Sequence, residues 1–417
     1  MKTLALVSLG CAKNMVDLQN RAGKLLKGGF TLSPDPDQAD VCIVNTCSFI
    51  ASAREEAEAE ITRALELKAR GQYKRVVVIG CYPQRYPKLK GKFPGVDSWE
   101  GVPQKWEKPG MPGFRLTGQA FAYLKIAEGC AHKCAYCAIP NIRGKYRSRP
   151  VQDIYDEAVA LLETGVKELN IVAQDPMLYG CDFKGKNKCR LSDLLWALDD
   201  IKGDFWIRVL YSYPSEISAE FLDWINNAKH AVKYIDVPLQ HTVPEVLENM
   251  KRKSAIGATL SAASALRELV PGVTLRTTIM TGFPGETEAR FNVLLSDLRR
   301  MQFDHLGCFA YSPEEGTAGA KMKNRPSRKL AEAREKAVMG QAQALWTIKS
   351  KRMLNKEYKA LVVAPGVARM ESQAPDVDGV VYVDNNNVGE FITVKLTQVK
   401  GFDFVGVGSS PRCASKQ

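Results

Sequence analysis

The stretch Cys130-Ala-His-Lys-Cys134-Ala-Tyr-Cys137 decides how the rest of this chain is interpreted. It directly follows an apolar segment, residues 123–127, whose composition is typical of a β-strand. Three thiolates in one tight loop can each bind a different iron of a cubane [4Fe–4S] cluster, which leaves the fourth iron open to a substrate. A zinc ion is the alternative, but zinc sites usually add a second ligand pair, and this loop offers only His132.

Strand-like and helix-like segments alternate around this motif. Helical segments separate six strand candidates, at residues 123–127, 168–173, 206–211, 234–238, 274–280 and 304–310. Six strands with crossover helices are too few for a closed eight-stranded TIM barrel. We therefore predict an α/β domain at residues 116–345 that forms an open (βα)6 partial barrel, with functional loops after the strand ends.

The first hundred residues alternate in the same way. Strands are predicted at residues 3–8, 40–45 and 75–80, and helices at residues 14–26 and 51–69. This βαβαβ order indicates a small parallel sheet, which we assign to a domain at residues 1–112. A Pro/Gly-rich linker at residues 108–113 marks the boundary.

A second set of cysteines is scattered along this first domain. Cys11, Cys47 and Cys81 each follow one of its predicted strands. Since the carboxyl ends of parallel strands meet at one edge of a sheet, the three thiols are expected to converge there and to hold a second open cluster. The alternative is three ordinary buried cysteines, which are common in cores. Cys42 lies inside a strand and is assigned to the core.

The end of the chain has a different pattern. Short alternating runs at residues 379–383 and 390–396, separated by turn-like residues, predict a small antiparallel β-barrel in a domain at residues 346–417. A basic helical stretch, residues 321–360, precedes and overlaps it, with 12 Lys and Arg against 3 Asp and Glu. A solvated helix face and a contact with RNA both remain open for this stretch.

Composition limits the class of protein. The chain has 417 residues with a formal net charge of +12, and its longest apolar runs, residues 41–44 and 76–79, are far shorter than the roughly 20 residues that span a bilayer. The apolar run at residues 4–9 is also too short for the core of a secretory signal. We therefore expect a cytoplasmic protein with no membrane contact. In that reducing compartment, eleven cysteines are expected to bind metal or act in catalysis rather than form disulfides.

The three-cysteine loop, with Tyr136 before its last cysteine, resembles the signature of radical S-adenosylmethionine enzymes. The resemblance implies that the open iron binds the amino and carboxylate groups of S-adenosylmethionine and that Tyr136 lies near the adenine. It also implies that one electron cleaves the sulfonium and releases a 5′-deoxyadenosyl radical, which removes a hydrogen from an unactivated carbon. Asp175 and Arg208, at predicted strand ends, are further candidates for binding this cofactor or the substrate.

Taken over essentially the whole chain, the pattern resembles the methylthiotransferases. The resemblance rests on Ser8-Leu-Gly-Cys-Ala-Lys-Asn14, Asn45-Thr-Cys47, Gly80-Cys81, the radical motif and the terminal barrel, which would be a TRAM-like domain. It implies that a C–H bond becomes C–S–CH3, with S-adenosylmethionine as methyl donor and as radical source. Cys11, Cys47 and Cys81 would then hold an auxiliary [4Fe–4S] cluster that carries the sulfur.

Members of this family modify either an adenosine in tRNA or the β-carbon of an aspartate in small-subunit ribosomal protein twelve. Segments at residues 139–144, 173–180, 237–241, 281–286 and 374–379 resemble the ribosomal-protein branch. The chain departs from that branch at Ala12, Ser48 and Tyr82-Pro83, but these departures spare every cysteine of the two triads. The expected substrate is thus the ribosomal protein, free or in the small subunit.

Charge gives a separate argument on the partner. Residues 361–417 carry 5 Lys and Arg against 6 Asp and Glu, a net charge of −1. A barrel that grips tRNA phosphates should be basic, whereas a slightly acidic barrel suits a basic ribosomal protein. The stretch 321–360 is then a candidate contact for ribosomal RNA.

The chemistry also needs an electron donor. The electron is expected from a reductant such as flavodoxin or ferredoxin.

Two rival functions remain at this point. A tRNA adenosine methylthiotransferase would use the same chemistry on a different substrate. A non-catalytic iron–sulfur electron carrier would need no substrate site, but pure electron transfer favours clusters with four protein ligands, and this chain offers two sets of three.

Overall fold

A computed structural model of the protein describes residues 1–106, 110–111, 114–185 and 188–409. The predicted linker at residues 108–113 falls largely outside the described residues, and Cys413 lies wholly outside them.

The N-terminal domain is a five-stranded parallel sheet flanked by helices, in the strand order β2-β1-β3-β4-β5. Its elements are β1 (Lys2–Ser8), α1 (Ala12–Lys27), β2 (Phe30–Leu32), β3 (Ala39–Thr46), α2 (Ala51–Ala69), β4 (Tyr73–Gly80), α3 (Cys81–Arg85) and β5 (Ser98–Glu100). The central strands are near-continuous apolar runs because helices cover both faces of a parallel sheet. Cys42, in β3, is fully buried, which confirms its assignment to the core.

The central domain has six parallel strands in chain order around an open barrel. The strands are β6 (Phe121–Lys125), β9 (Glu168–Val172), β10 (Trp206–Val209), β11 (Tyr234–Asp236), β12 (Thr274–Thr281) and β13 (His305–Ala310), and a short hairpin joins β7 (Ala127–Glu128) to β8 (Arg147–Ser148). The helices are α4 (Ile139–Arg143), α5 (Val151–Glu163), α6 (Leu191–Asp199), α7 (Ala219–Asn227), α8 (Pro244–Asn249), α9 (Ile256–Leu269), α10 (Glu288–Met301) and α11 (Arg328–Met353). The strands pair as β6-β9-β10 and β11-β12-β13, and an isolated bridge between Ile207 and Ala231 joins the two halves. All six strands predicted from the sequence are confirmed.

The C-terminal domain is a closed five-stranded barrel in the order β14-β15-β16-β18-β17. Its strands are β14 (Glu357–Ala364), β15 (Val367–Met370), β16 (Val381–Tyr382), β17 (Phe391–Lys400) and β18 (Asp403–Ser409). The predicted barrel is confirmed, although one pair, β16 with β18, runs parallel rather than antiparallel.

One segment of this barrel, residues 369–378, packs into the open inner face of the central domain and is called the plugging segment. Each of the six central strands contributes one side chain to a contact with it, namely Tyr123, Glu168, Arg208, Tyr234, Arg276 and His305. Among these contacts, Tyr123 donates to Asp376 at 2.5 Å and Tyr234 donates to Asp378 at 2.6 Å. The inner face of the partial barrel is therefore closed by the third domain.

Two features of the fold differ from the expectation: two edge strands and one domain boundary. The edge strands β2 and β5 were not predicted, because three residues are too few to show strand alternation. The predicted domain boundary at 345/346 falls inside α11, which continues to Met353. Trp346 of this helix is 5% exposed, packs into the core of the barrel and donates to the Gly401 carbonyl at 2.8 Å, so the helix belongs to both domains. Among the described residues, no helix is long and apolar enough to cross a bilayer.

Candidate active site

Cys130, Cys134 and Cys137, the loop triad, lie between β7 and α4 in a loop held by its own backbone. The Cys137 amide donates to the Cys134 carbonyl at 3.1 Å, and the Ile139 amide donates to the Cys137 Sγ at 3.4 Å. The Ala135 amide donates to the Met250 carbonyl at 2.9 Å, which ties the loop to the end of α8. All three cysteines are partly buried, and burial raises the pKa of Cys130 to about 11 and that of Cys137 to about 12.

His132 and Asp175 brace this loop from the side. His132 Nε2 lies 2.6 Å from Asp175 Oδ2, and the imidazole stacks on the Tyr213 ring at 3.8 Å between centroids. Asp175 lies three residues after the end of β9 and is 2% exposed. The structure thus places Asp175 against the loop triad, where it orients a residue inside the loop.

Tyr136 lies in a pocket of aromatic and cationic side chains. The Arg252 guanidinium donates to the Tyr136 hydroxyl at 3.3 Å and lies 3.8 Å from the Cys134 Sγ. The Tyr136 ring meets Phe283 edge-on, with centroids 6.3 Å apart. Phe283 belongs to the Gly/Pro-rich loop at residues 281–286, so this loop shapes the surroundings of the loop triad.

Cys11, Cys47 and Cys81, the strand-end triad, lie at the carboxyl ends of the adjacent strands β1, β3 and β4. The structure brings the three strand ends together, since Gly10, next to Cys11, lies against Cys47, and Asn14, three residues after Cys11, contacts Cys81. Two glycines allow this approach. Gly10 has φ +88°, and a Cβ there would lie 2.8 Å from the Cys47 Cβ. Gly80 has φ +101°, and its Cβ would lie 2.6 Å from Asn45 Oδ1.

Asn14 joins the ends of these strands. Its Nδ2 donates to the Thr46 carbonyl at 2.9 Å and to the Leu9 carbonyl at 3.3 Å, while the Cys81 thiol lies 3.4 Å from its Oδ1. Asn14 is fully buried, so one side chain satisfies backbone groups at two strand ends. The strand-end triad is therefore preorganised by hydrogen bonds of the N-terminal domain.

The thiols of this triad differ in their protonation. Although desolvation by the surrounding protein by itself raises the pKa of the Cys11 thiol, the Lys13 ammonium and the Arg143 guanidinium outweigh it and lower that pKa from its ordinary value. Cys81 is 5% exposed, and its burial raises the pKa to about 12. Cys11, in contrast, remains accessible to solvent.

A buried ion cluster of Asp17, Lys125, Glu128 and Arg143 connects the two triads. Arg143 contacts Asp17 at 3.0 Å, Glu128 at 2.8 Å and the Cys81 Sγ at 3.4 Å, and its guanidinium is 1% exposed. Lys125 pairs with Asp17 and, at 3.0 Å, with Glu128. The two cations outweigh the burial of Glu128 and hold the pKa of its carboxyl far below the ordinary range.

The two triads meet across the interface between the first two domains. Ala138, the residue after Cys137, packs with Ile142 against Cys81. On the other side of the strand-end triad, α1 packs its residues Ala12, Met15 and Val16 against the apolar residues around Trp206 of the central domain. The carboxyl edge of the first sheet therefore faces the loop triad directly.

The donor set of each triad fits an iron–sulfur cluster. Each triad supplies three cysteine thiols, the ligand type of such clusters, and leaves one iron of a [4Fe–4S] cluster without a protein ligand. Within the part of the chain that the structure describes, no three His, Cys, Asp or Glu side chains form a group that could hold a single metal ion.

Arg208 does not lie where it was expected. It is the third residue of β10 rather than a strand end, it is fully buried, and its Nε donates to Glu168 at 2.8 Å. Its guanidinium also donates to the Glu371 carbonyl of the C-terminal domain at 2.7 Å. These contacts place Arg208 in the interface with the plugging segment, and its assignment to the cofactor or substrate site stays a prediction.

Three residues of this interface were not singled out from the sequence as site residues: Lys13, Asn14 and Arg143. All three are buried although they are polar, and Lys13 and Asn14 lie in the first turn of α1 directly after Cys11. Buried polar side chains beside a metal-ligating position would have been the signal, but burial cannot be read from a single sequence with enough certainty.

Solved structures support the fold. A radical S-adenosylmethionine methyltransferase, TsrM from Kitasatospora setae, is 16% identical and matches with a TM-score of 0.53 over 75% of this chain and 76% of that chain. The cobalamin-dependent S-adenosylmethionine radical enzyme OxsB is 12% identical, with a TM-score of 0.50 over 80% of this chain and 55% of that chain. At this level of identity the likeness concerns the fold alone.

Family models and curated relatives cover the chain almost completely. Residues 3–101 match the uncharacterized protein family UPF0004, residues 124–298 match the radical SAM superfamily, and residues 359–407 match the TRAM domain. The proteins named "Ribosomal protein uS12 methylthiotransferase RimO" from Moorella thermoacetica and Clostridioides difficile are 40% and 38% identical. Both alignments cover 97% of this chain, and 99% and 98% of the respective relatives. This chain therefore belongs to the family of ribosomal protein uS12 methylthiotransferases.

Proposed function

We propose that this protein replaces a hydrogen on the β-carbon of an aspartate side chain in ribosomal protein uS12 with a methylthio group. It would act in the cytoplasm, where a reductant such as flavodoxin or ferredoxin supplies electrons. The relatives that carry this name match the chain from end to end, which supports the same substrate here.

The observation that carries the proposal is the packing of the segment just after the loop triad against the strand-end triad. Ala138 and Ile142, just after the loop triad, contact Cys81 of the strand-end triad. A reaction that takes hydrogen from a carbon and then adds sulfur to it needs both centres within reach of one bound carbon. An electron carrier has no need for two three-ligand sites that share an interface.

The loop triad and the strand-end triad would each hold one [4Fe–4S] cluster through their three thiolates. When bound, the clusters supply the electron that cleaves S-adenosylmethionine and the place from which sulfur is transferred. Tyr136, Arg252 and Phe283 would line the surroundings of Cys134 on that side. Asp175 keeps the loop in place through His132.

The buried ion cluster has a structural task in this scheme. Arg143 reaches from α4 to Asn14 and Cys81, so that it fixes the position of one triad relative to the other. Its charge is balanced by Asp17 and Glu128, which keeps the interface closed without an unpaired ion.

A contact with ribosomal RNA is a second part of the proposal. The stretch 321–360 has a net charge of +9, and part of that charge is used internally, by Arg334 on Glu286 and by Lys349 on Asp304. Lys321, Lys323, Lys336 and Lys351 remain exposed. A TRAM domain beside this surface favours RNA as its partner, since exposed lysines neutralise phosphates.

The decisive experiment is mass spectrometry after anaerobic incubation of the reconstituted, reduced protein with S-adenosylmethionine, sulfide and two competing substrates. The substrates are a peptide from ribosomal protein uS12 and unmodified tRNA. We expect a methylthio group on the peptide aspartate alone. Methylthio-adenosine in the tRNA would keep the chemistry and overturn the substrate, and the absence of any S-adenosylmethionine cleavage would favour an electron carrier.

The RNA contact is tested separately with Lys321→Glu combined with Lys323→Glu. We expect unchanged activity on the isolated peptide and reduced activity on small ribosomal subunits, with a weaker dependence on salt. Lys88→Glu combined with Lys90→Glu is the matched control, because it reverses two exposed charges on the N-terminal domain instead. Equal losses in both double variants would contradict a specific contact.

A further inference from the structure

Lys13 is a buried cation beside the strand-end triad. It is the second residue of α1, follows Cys11 by two positions and is 8% exposed. Its Nζ lies 3.8 Å from the centre of the Tyr211 ring, at the carboxyl end of β10 in the central domain. Lys13 therefore spans the same interface as the two triads.

The ammonium of Lys13 has no oxygen acceptor among the described residues. Nearby carboxylates are already occupied. Both oxygens of Asp17 accept from Lys125 and Arg143, and Glu128 accepts from Lys125, Arg143 and the Gln174 amide. A Lys ammonium carries three N–H donors, and a ring face satisfies them only in part.

Tyr211 is held in place to form the floor under this ammonium. Its φ of +71° lies in the left-handed region, which is unfavourable for a tyrosine. Asp236 fixes this conformation, because its Oδ2 accepts from the Tyr211 amide at 3.3 Å and its carbonyl accepts from the Ser212 amide at 2.8 Å. Such strain persists where the surroundings determine it, and it is concentrated at binding sites.

A buried cation with no carboxylate partner favours an anionic ligand, since burial of a charge without an oxygen acceptor is unfavourable. We infer that Lys13 binds the carboxylate of the substrate aspartate. The inference rests on the proposed function, which names an aspartate β-carbon as the reacting atom. That carbon is bonded directly to the carboxylate carbon, so an ammonium two residues from Cys11 places it beside the strand-end triad.

Two other buried cations of the interface, Lys125 and Arg143, do not offer such a site. Lys125 is bound to Asp17 and Glu128, and Arg143 is bound to Asp17, Glu128 and Asn14. Their donors would have to leave buried carboxylates before they could bind a ligand. Lys13 would thus select a substrate side chain that carries a negative charge.

The test compares binding of two uS12 peptides, one with the native aspartate and one with asparagine in its place. Dissociation constants are measured by fluorescence anisotropy on the reconstituted protein without S-adenosylmethionine. We expect the wild type to bind the aspartate peptide about 30-fold more tightly, as for loss of one partner of a buried charge pair. Lys13→Met should abolish this preference, and Lys13→Arg, which keeps the charge, should restore much of it.

Lys27→Met is the matched control, because it removes an exposed charge from the last turn of the same helix and should leave the preference intact. A persistent preference in Lys13→Met would overturn the inference. The wild type alone gives a second test that does not depend on the folding of any variant, since equal binding of both peptides also overturns it. If the wild type methylthiolates the peptide but does not discriminate, only the inference fails; if it modifies neither peptide nor tRNA, the proposed function fails.

Discussion

The two triads are built in different ways from the same residue type. The loop triad occupies eight consecutive residues, and backbone hydrogen bonds inside the loop and to Met250 fix its shape. The strand-end triad gathers cysteines that are 36 and 34 positions apart, and it exists only because β1, β3 and β4 are neighbours in one sheet. The first is a property of a short sequence, whereas the second is a property of a fold.

The two triads should therefore differ in their sensitivity to substitutions elsewhere in the chain. Damage to the loop triad is expected to remain local, because its bracing residues belong to one domain. The strand-end triad depends on Asn14, on two glycines with positive φ and on Arg143 of the neighbouring domain. It is therefore exposed to changes that are distant in sequence.

Replacing one cysteine in each triad should give the largest effect and should separate the two functions. We expect Cys134→Ala to abolish both the cleavage of S-adenosylmethionine and the methylthiolation of the peptide. Cys81→Ala should abolish methylthiolation while cleavage continues, because the loop triad is untouched. Chromatography of 5′-deoxyadenosine measures cleavage, and mass spectrometry measures the peptide. Loss of cleavage in Cys81→Ala would show that the triads do not act independently.

Breaking the ion cluster should have the next largest effect. Arg143→Met leaves Asp17 and Glu128 buried with only Lys125 between them, which is expected to lower stability by about 3 to 5 kcal/mol. The urea midpoint of the metal-free protein measures this loss. Arg21→Met removes the exposed ion pair of Arg21 with Glu100 in the N-terminal domain. It should lower the free energy of unfolding by about 0 to 1 kcal/mol. Similar midpoints for the two variants would contradict a structural role of the cluster.

Most of the fold could be predicted because its signals are local. The six strands of the central barrel and the three inner strands of the first sheet are runs rich in aliphatic, aromatic and β-branched residues, and each appears within about two residues of its predicted position. The edge strands β2 and β5 lack that signal, since three residues carry no period. The expected domain boundary at 345/346 falls inside α11, within the helical stretch predicted at residues 321–360, because Val338 of this helix packs in the core of the central domain and Trp346 in the core of the barrel.

The charge of the terminal barrel shows why a partner is harder to predict. Its slightly acidic balance suggested a basic partner, but Asp376 and Asp378 bind Tyr123, Tyr234 and Arg276 of the central domain. These charges serve an internal interface that the sequence did not reveal. The contact of Arg208 with Glu371 was not predicted for the same reason, because it depends on the docking of a third domain.

His132 and Asp175 offer a smaller and more local test of the loop triad. His132→Phe keeps the ring on Tyr213 but loses the bond to Asp175, and we expect iron to leave the loop triad about tenfold faster while the strand-end triad is unaffected. Asp175→Asn should act on the same pair, so the double variant should be no worse than either single one. A far larger loss of S-adenosylmethionine affinity in Asp175→Asn than in His132→Phe would instead support direct cofactor binding, as the sequence suggested.

The smallest effect concerns the metal-free thiols, which should differ between the triads in their reaction with iodoacetamide. Because the pKa of Cys11 is lowered, its thiolate is present at a lower pH than that of a free cysteine, and Cys11 is also exposed. Cys81 and Cys137, each with a pKa raised to about 12, should stay unlabelled at neutral pH unless the protein unfolds. Mass spectrometry of labelled peptides between pH 6 and 10 measures these profiles.

Lys13→Met extends this test, since the Lys13 ammonium is the largest influence that lowers the Cys11 pKa. The labelling profile of Cys11 should move to higher pH in this variant and stay unchanged in Lys27→Met. An unshifted profile would mean that Arg143 alone sets the charge at Cys11. If the shift is found, Cys11 of the strand-end triad is present as a thiolate before metal binds, because the neighbouring Lys13 ammonium stabilises its negative charge.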